Sequence, residues 1–225
     1  IVRVIDGNVE VVIDKGDPVA VILDIAARRP HPVIVMASHG RRGVELRRLG
    51  SVACSVARAA HCPVVLVPAS ARAGCTSPPA VRSVLLPMND PTLAYSLSGA
   101  AVEFLGSAGT NDLDVHLVEV AIPVPPQPAV TDGDHYLGAH EVPAHFLHRV
   151  AQRLRERGVR ATWDLRIGDP ARELTSFAAE NGVDLIVLPA HSRAGFNTLL
   201  PGLVAEQTRM RGPVPILLLP VDPQP

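Results

Sequence analysis

Short, unbroken apolar runs punctuate this chain, and longer mixed stretches separate them. The runs PVIVM (32–36), PVVLVP (63–68), VRSVLLP (81–87), LDVHLVEVA (113–121), DLIVLP (184–189) and PILLLP (215–220) are rich in valine, isoleucine and leucine. Continuous apolar runs of this length fit strands buried on both faces of a parallel sheet. Further strands are expected at 9–14 and 159–167. Between the runs the pattern predicts helices after Asp17-Pro18, over about 46–60, over 92–105, over 142–157 with four arginines near its end, after Asp169-Pro170 and over about 199–211. Strands alternating with helices of this length predict βαβ units, hence a parallel α/β sheet.

The pattern occurs twice. Residues 16–50 align without a gap on residues 168–202, at a constant offset of 152. Gly16, Asp17, Pro18, His39, Gly43 and Gly50 fall on Gly168, Asp169, Pro170, His191, Gly195 and Gly202, and Pro63 and Pro68 fall on Pro215 and Pro220. Each Asp-Pro pair supplies an N-cap followed by proline at the first helical position, where its missing N–H costs nothing. The trailing copy carries five expected strands in residues 81–225, whereas residues 1–68 hold only the second half of that plan. Half a sheet exposes backbone and apolar faces, so the expectation is that preceding residues or another chain complete it. Residues 69–80 (ASARAGCTSPPA) read as a linker. Residues 123–138 (PVPPQPAVTDGDHYLG) read as a proline-rich loop on the side where such sheets bind ligands, either a surface excursion or a lid.

Composition narrows the partners. With 225 residues and 47% hydrophobic content the chain can bury a substantial core. A net charge of −1 and 3% aromatic residues lack the basic surface and stacking platforms of nucleic-acid binding. No apolar run approaches the roughly 18 residues of a membrane span and the first residues show no signal pattern, so a cytoplasmic location is expected. Cys54, Cys62 and Cys75 form no CxxC pair, which indicates neither a disulfide framework nor a zinc site. His135, His140, His145 and His148 crowd one region without a carboxylate or cysteine at supportive spacing, so no metal site is expected. His116, on a strand, reads as packed or edge-bonded.

The segment ASHGRRGVELRRLGS (37–51) lies between an expected strand and an expected helix. Glycines there let successive N–H groups turn inward, the helix points its partial positive end at the same place, and Ser51 adds a hydroxyl. Arg41, Arg42, Arg47 and Arg48 could neutralise phosphate or form a solvated face. Lys15 is the only lysine, and neither G-K-[ST] nor G-x-S-x-G occurs, which excludes a P-loop and a nucleophile elbow. A dinucleotide fingerprint would follow the first strand of a unit, whereas these glycines follow the fourth.

Together these residues resemble the universal stress protein family in its tandem-domain form. That family carries G-x2-G-x9-G-[ST] after the fourth strand and a CPV-type last strand. Here the first copy reads Ala37-Ser38-His39-Gly40, nine residues, then Gly50-Ser51, with His61-Cys62-Pro63-Val64 leading into the last strand. The resemblance covers nearly the whole chain except the linker and the proline-rich loop. It implies two tandem five-stranded parallel-sheet domains, Rossmann-like and of the adenine-nucleotide α-hydrolase type, with the first incomplete: 1–68, the linker 69–80, then 81–225. It further implies a stress-response regulatory protein that binds an adenine nucleotide, ATP with Mg, through Met36, Ala37, His39, Gly40, Gly50, Ser51 and Val52. Ala37 departs from the first glycine of the pattern, and the aspartate that follows the first strand in ATP-binding members has no counterpart in the leading copy. In the trailing copy the loop reads Pro189-Ala190-His191-Ser192, nine residues, Gly202-Leu203, and the aspartate position holds Asn89 with Asp90 one place late. That copy is expected to be a structural partner that does not bind ATP. Members of this kind commonly associate through the last strand, so a homodimer or pseudo-dimer through 63–67 and 215–219 is expected. No catalytic residue is assigned. The alternatives are an assembly module of the same fold that binds no nucleotide, and a weak ATPase.

Overall fold

The computed structural model describes residues 10–37, 51–68, 81–88, 91–107, 109, 112–122, 141–190 and 214–221, with backbone alone for 92 and 141–145. In chain order the elements are α1 (Pro18–Ala27), β1 (Ile34–Ala37), α2 (Ser51–Ala59), β2 (Val64–Val67), β3 (Ser83–Pro87), α3 (Pro91–Ser107), β4 (Asp114–Ala121), α4 (Glu141–Glu156), β5 (Arg160–Ile167), α5 (Pro170–Glu180), β6 (Leu185–Pro189) and β7 (Ile216–Leu219).

Both Asp-Pro pairs open helices. The Asp17 carboxylate accepts from the Val19 N–H at 3.2 Å, and that of Asp169 accepts from the Arg172 N–H at 2.9 Å. Each aspartate is extended, with proline at the start of the helix. The glycines before them, Gly16 and Gly168, have φ of +146° and +153°, a conformation that strains any side chain. The G-D-P triplet is thus a complete helix-start device, used twice.

The strands form one seven-stranded sheet of order β1-β2-β7-β6-β3-β4-β5. Every ladder is parallel except β2–β7. The repeat reappears as register: Ile34 pairs with Val64 and Ala37 with Val67, just as Ile186 pairs with Ile216 and Pro189 with Leu219. The Ile34 N–H donates to the Pro63 carbonyl at 2.9 Å, and the Ile186 N–H to that of Pro215 at 3.0 Å. Between the halves Val64, Val65 and Leu66 pair antiparallel with Leu218, Leu217 and Ile216. The last strands therefore pair within the chain.

Apolar residues are buried on both faces of the sheet. On one, Leu86, Leu117 and Leu217 meet Leu97 of α3 and Leu147 and Leu154 of α4; on the other, Leu66, Leu85 and Ile186 meet Ala53 of α2 and Leu174 and Phe177 of α5. This double burial is why β3, β6 and β7 read as continuous apolar runs, whereas edge strand β1, expected to be buried on both faces, leaves Val35 64% exposed. Each fully buried leucine contributes roughly 1.5–3 kcal/mol. α1 contains no fully buried residue.

A second expectation fails here. Residues 10–14 of the anticipated strand 9–14 form no strand, and Val11 and Ile13 are 74% and 92% exposed. Their counterpart in the trailing copy, β5, is held by β4, which in turn is held by β3. The leading half has no equivalent of β3 or β4 among the described residues, and an extended segment without a neighbouring strand has no ladder to hold it. The helix expected over 46–60 is described from Ser51. The helix expected over 199–211, the linker 69–80 and the loop 123–138 lie outside the described residues. Among the described residues, no helix is long and apolar enough to cross a membrane.

Candidate functional site

The carboxyl end of β1 and the start of α2 carry four of the seven expected nucleotide contacts. Met36 pairs with Leu66, is half-buried, and packs against the core under α2 and α5. Ala37, paired with Val67, is exposed. Ser51 is the exposed first residue of α2, and Val52 beside it is half-buried. His39, Gly40 and Gly50 lie outside the described residues, as do Arg41, Arg42, Arg47 and Arg48.

The local sequence explains the placement of α2. Ala53, Val56 and Ala57 form a buried stripe, and its small side chains let the helix seat closely on the sheet. The first turn holds no acidic residue and the last turn carries Arg58. Within Ser51–Ala59 the charge pattern therefore favours an anion at the amino end. The arrangement can bind charge.

The equivalent position in the trailing copy differs in chemistry. Pro189 ends β6 and has no N–H, and the Ala190 N–H already donates to the Leu219 carbonyl at 2.6 Å. The first two loop positions of that copy therefore present no free amide. Asn89, Asp90, His191, Ser192, Gly202 and Leu203 lie outside the described residues.

Other titratable groups serve the fold. His116 is both packed and bonded: Nδ1 lies 2.8 Å from Thr162 Oγ1, Nε2 3.2 Å from Ser83 Oγ, and the ring meets the edge of Phe177 at 5.5 Å. Burial pulls its pKa down, and the nearby Asp114 charge acts in the opposite direction. Burial pushes the Glu119 carboxyl up, and its Oε2 is buried without a partner. The hydrogen bond from Arg160 holds Asp114 below the usual carboxylate range. Cys62 is a free thiol raised by burial, the direction of an unreactive cysteine. Among the described residues no three His, Cys, Asp or Glu side chains converge on a metal position. His135 and His140 lie outside them, the side chain of His145 is not described, and His148 is exposed.

Sequence reasoning missed a cleft of about 400 Å³ between α3 and α4, where Tyr95 and Gly99 meet Arg153 and Arg157. Two arginines four residues apart at the end of a helix were the signal available for it.

Comparison with known proteins completes the picture. The family described as the universal stress protein family matches residues 3–68 and 80–220. A universal stress protein from Archaeoglobus fulgidus DSM 4304 superposes with a TM-score of 0.62 at 19% identity, over 92% of this chain and 66% of its own. A functionally unknown protein from Pseudomonas aeruginosa PAO1 superposes with a TM-score of 0.60 at 15% identity, over 93% of this chain and 69% of its own. At these identities the likeness is one of fold, and the chain spans about two thirds of each of these structures. No curated protein matches the chain.

Proposed function

The chain belongs to the universal stress protein family, and from that premise we propose that it is an adenine-nucleotide-binding regulatory protein of the stress response, acting in the cytoplasm. The nucleotide is ATP with Mg, bound in the leading half by Met36, Ala37, His39, Gly40, Gly50, Ser51 and Val52. The trailing half, 81–225, serves as a structural partner, joined through the linker 69–80 to the partial unit 1–68. The output is binding, and hydrolysis is at most slow.

One observation carries the reading. Ser51, exposed, stands at the amino end of the described part of α2, and the first turn of Ser51–Ala59 carries no acid to oppose an incoming phosphate. The trailing half supports the contrast, because proline and an engaged amide occupy the matching loop start. The antiparallel β2–β7 ladder favours a second reading, an assembly module whose purpose is to join two such units.

Thermal unfolding with Mg-ATP separates the two. At 100 times its dissociation constant a nucleotide adds roughly 2.7 kcal/mol to stability, and Ser51→Ala should reduce that gain. An unchanged melting temperature at millimolar Mg-ATP sinks the nucleotide reading and leaves the assembly module.

A further inference from the structure

The α3–α4 cleft is lined by, among others, Tyr95, Ser96, Gly99, Glu103, Arg153 and Arg157. Its walls are built as matched rungs. α3 and α4 each follow a strand of the parallel β3–β4 pair, so the two helices run in the same direction. Tyr95, Gly99 and Glu103 recur every four residues on α3 and share one helix face, while Arg153 lies in the last turn of α4 and Arg157 in the turn just after its last residue, Glu156. The Arg153 guanidinium lies 5.5 Å from the Tyr95 ring centroid. Arg157 lies over Gly99, where an added Cβ would come within 3.9 Å of Nη1. Tyr95 thus stands opposite Arg153 and Gly99 opposite Arg157, one helical turn or about 5.4 Å further along.

This places two cations side by side across the same opening. Neither has an ion-pair partner among the described residues, whereas Arg28, Arg160 and Arg166 are each paired. Arg153 is steadied by an aromatic face, and the missing side chain of Gly99 leaves space beside Arg157, so the N–H edges of both stay available. Glu103 is the single carboxylate lining the cleft, which leaves the lining net positive. Ser96 adds a hydroxyl oxygen that is buried with no hydrogen-bond partner. Planar guanidinium forks of this kind match phosphate oxygens.

We infer that the cleft binds a small phosphate monoester, with the phosphate between Arg153 and Arg157 and the organic part beside Tyr95. This site is separate from the loop after β1 and does not depend on the nucleotide reading.

The test titrates the full chain with phenyl phosphate, using phenol as the uncharged control, while following the arginine Nε–Hε resonances. The Arg153 and Arg157 signals should move with phenyl phosphate and stay still with phenol. Arg153→Gln and Arg157→Gln should each weaken binding by about tenfold, and added salt should weaken it further. Glu103→Gln removes the opposing charge and should tighten binding by roughly threefold, a gain that a misfolded variant could not give. An unaltered dissociation constant in the Arg153→Gln, Arg157→Gln double variant, or weaker binding in Glu103→Gln, overturns the proposal.

Discussion

Val65 and Leu217 face each other across the β2–β7 ladder, and the repeat offset carries the first onto the second. A residue paired with its own repeat equivalent marks a local twofold axis. The flanking pairs obey it: Val64 faces Leu218, the equivalent of Leu66, and Leu66 faces Ile216, the equivalent of Val64. An isologous contact of the kind usual between subunits is here written into one chain.

The axis passes through the core, since Leu217 is fully buried. Leu217→Ala should cost about 2–5 kcal/mol in urea unfolding. Val65 is only partly buried and should cost less when shortened. Because the two residues touch across the ladder, the double variant should depart from additivity by roughly 0.5–3 kcal/mol. Strict additivity would mean that the axis carries no coupling.

The two aspartate caps should respond unequally. Asp169→Ala should lower global stability by about 0.5–2 kcal/mol, because α5 buries Leu174 and Phe177. Asp17→Ala should speed amide exchange within α1 and leave the urea midpoint nearly unmoved, because α1 has no fully buried residue. Equal midpoint shifts in the two variants would contradict this assignment.

His116 sets a pH dependence whose sign follows from its burial. The folded state favours the neutral ring, so its pKa lies below the ordinary histidine value of 6.5. The associated stability is fully present above that value and is lost as pH falls through the folded pKa. Unfolding midpoints measured from pH 8 downward should decline in this window, and His116→Gln should flatten that part of the decline. An NMR titration should find the His116 ring titrating below the ordinary histidine value.

Ala37 stands where the family pattern has glycine and is exposed at the end of β1. On the nucleotide reading its methyl group crowds the ligand, so Ala37→Gly should raise Mg-ATP affinity severalfold by calorimetry. A weaker complex would show that the alanine is a contact and not an obstruction.

How much of this was legible in the sequence depends on how local each feature is. The G-D-P helix starts were legible because cap, proline and glycine act within a few residues. The buried strands were legible because a strand covered on both faces must be apolar throughout. Residues 10–14 misled for a tertiary reason: their apolar pattern is strand-like, but a strand exists only through its neighbours. The pairing of last strands could be expected from their uncharged edges, whereas the register around Val65 and Leu217 required the coordinates. The cleft was not legible, because Tyr95 and Arg153 come from separate helices that meet only when β3 and β4 lie side by side.

The single change of direction at the β2–β7 ladder has a geometric consequence. Strands β1 and β2 finish on one rim of the sheet, while β3 through β7 finish on the opposite rim. Ala37 and Pro189, equivalent in the repeat, therefore look out from opposite ends of the molecule. Occupants of the two positions could neither collide nor share a ligand, and any message between them would have to travel through the packed leucines and valines of the interior.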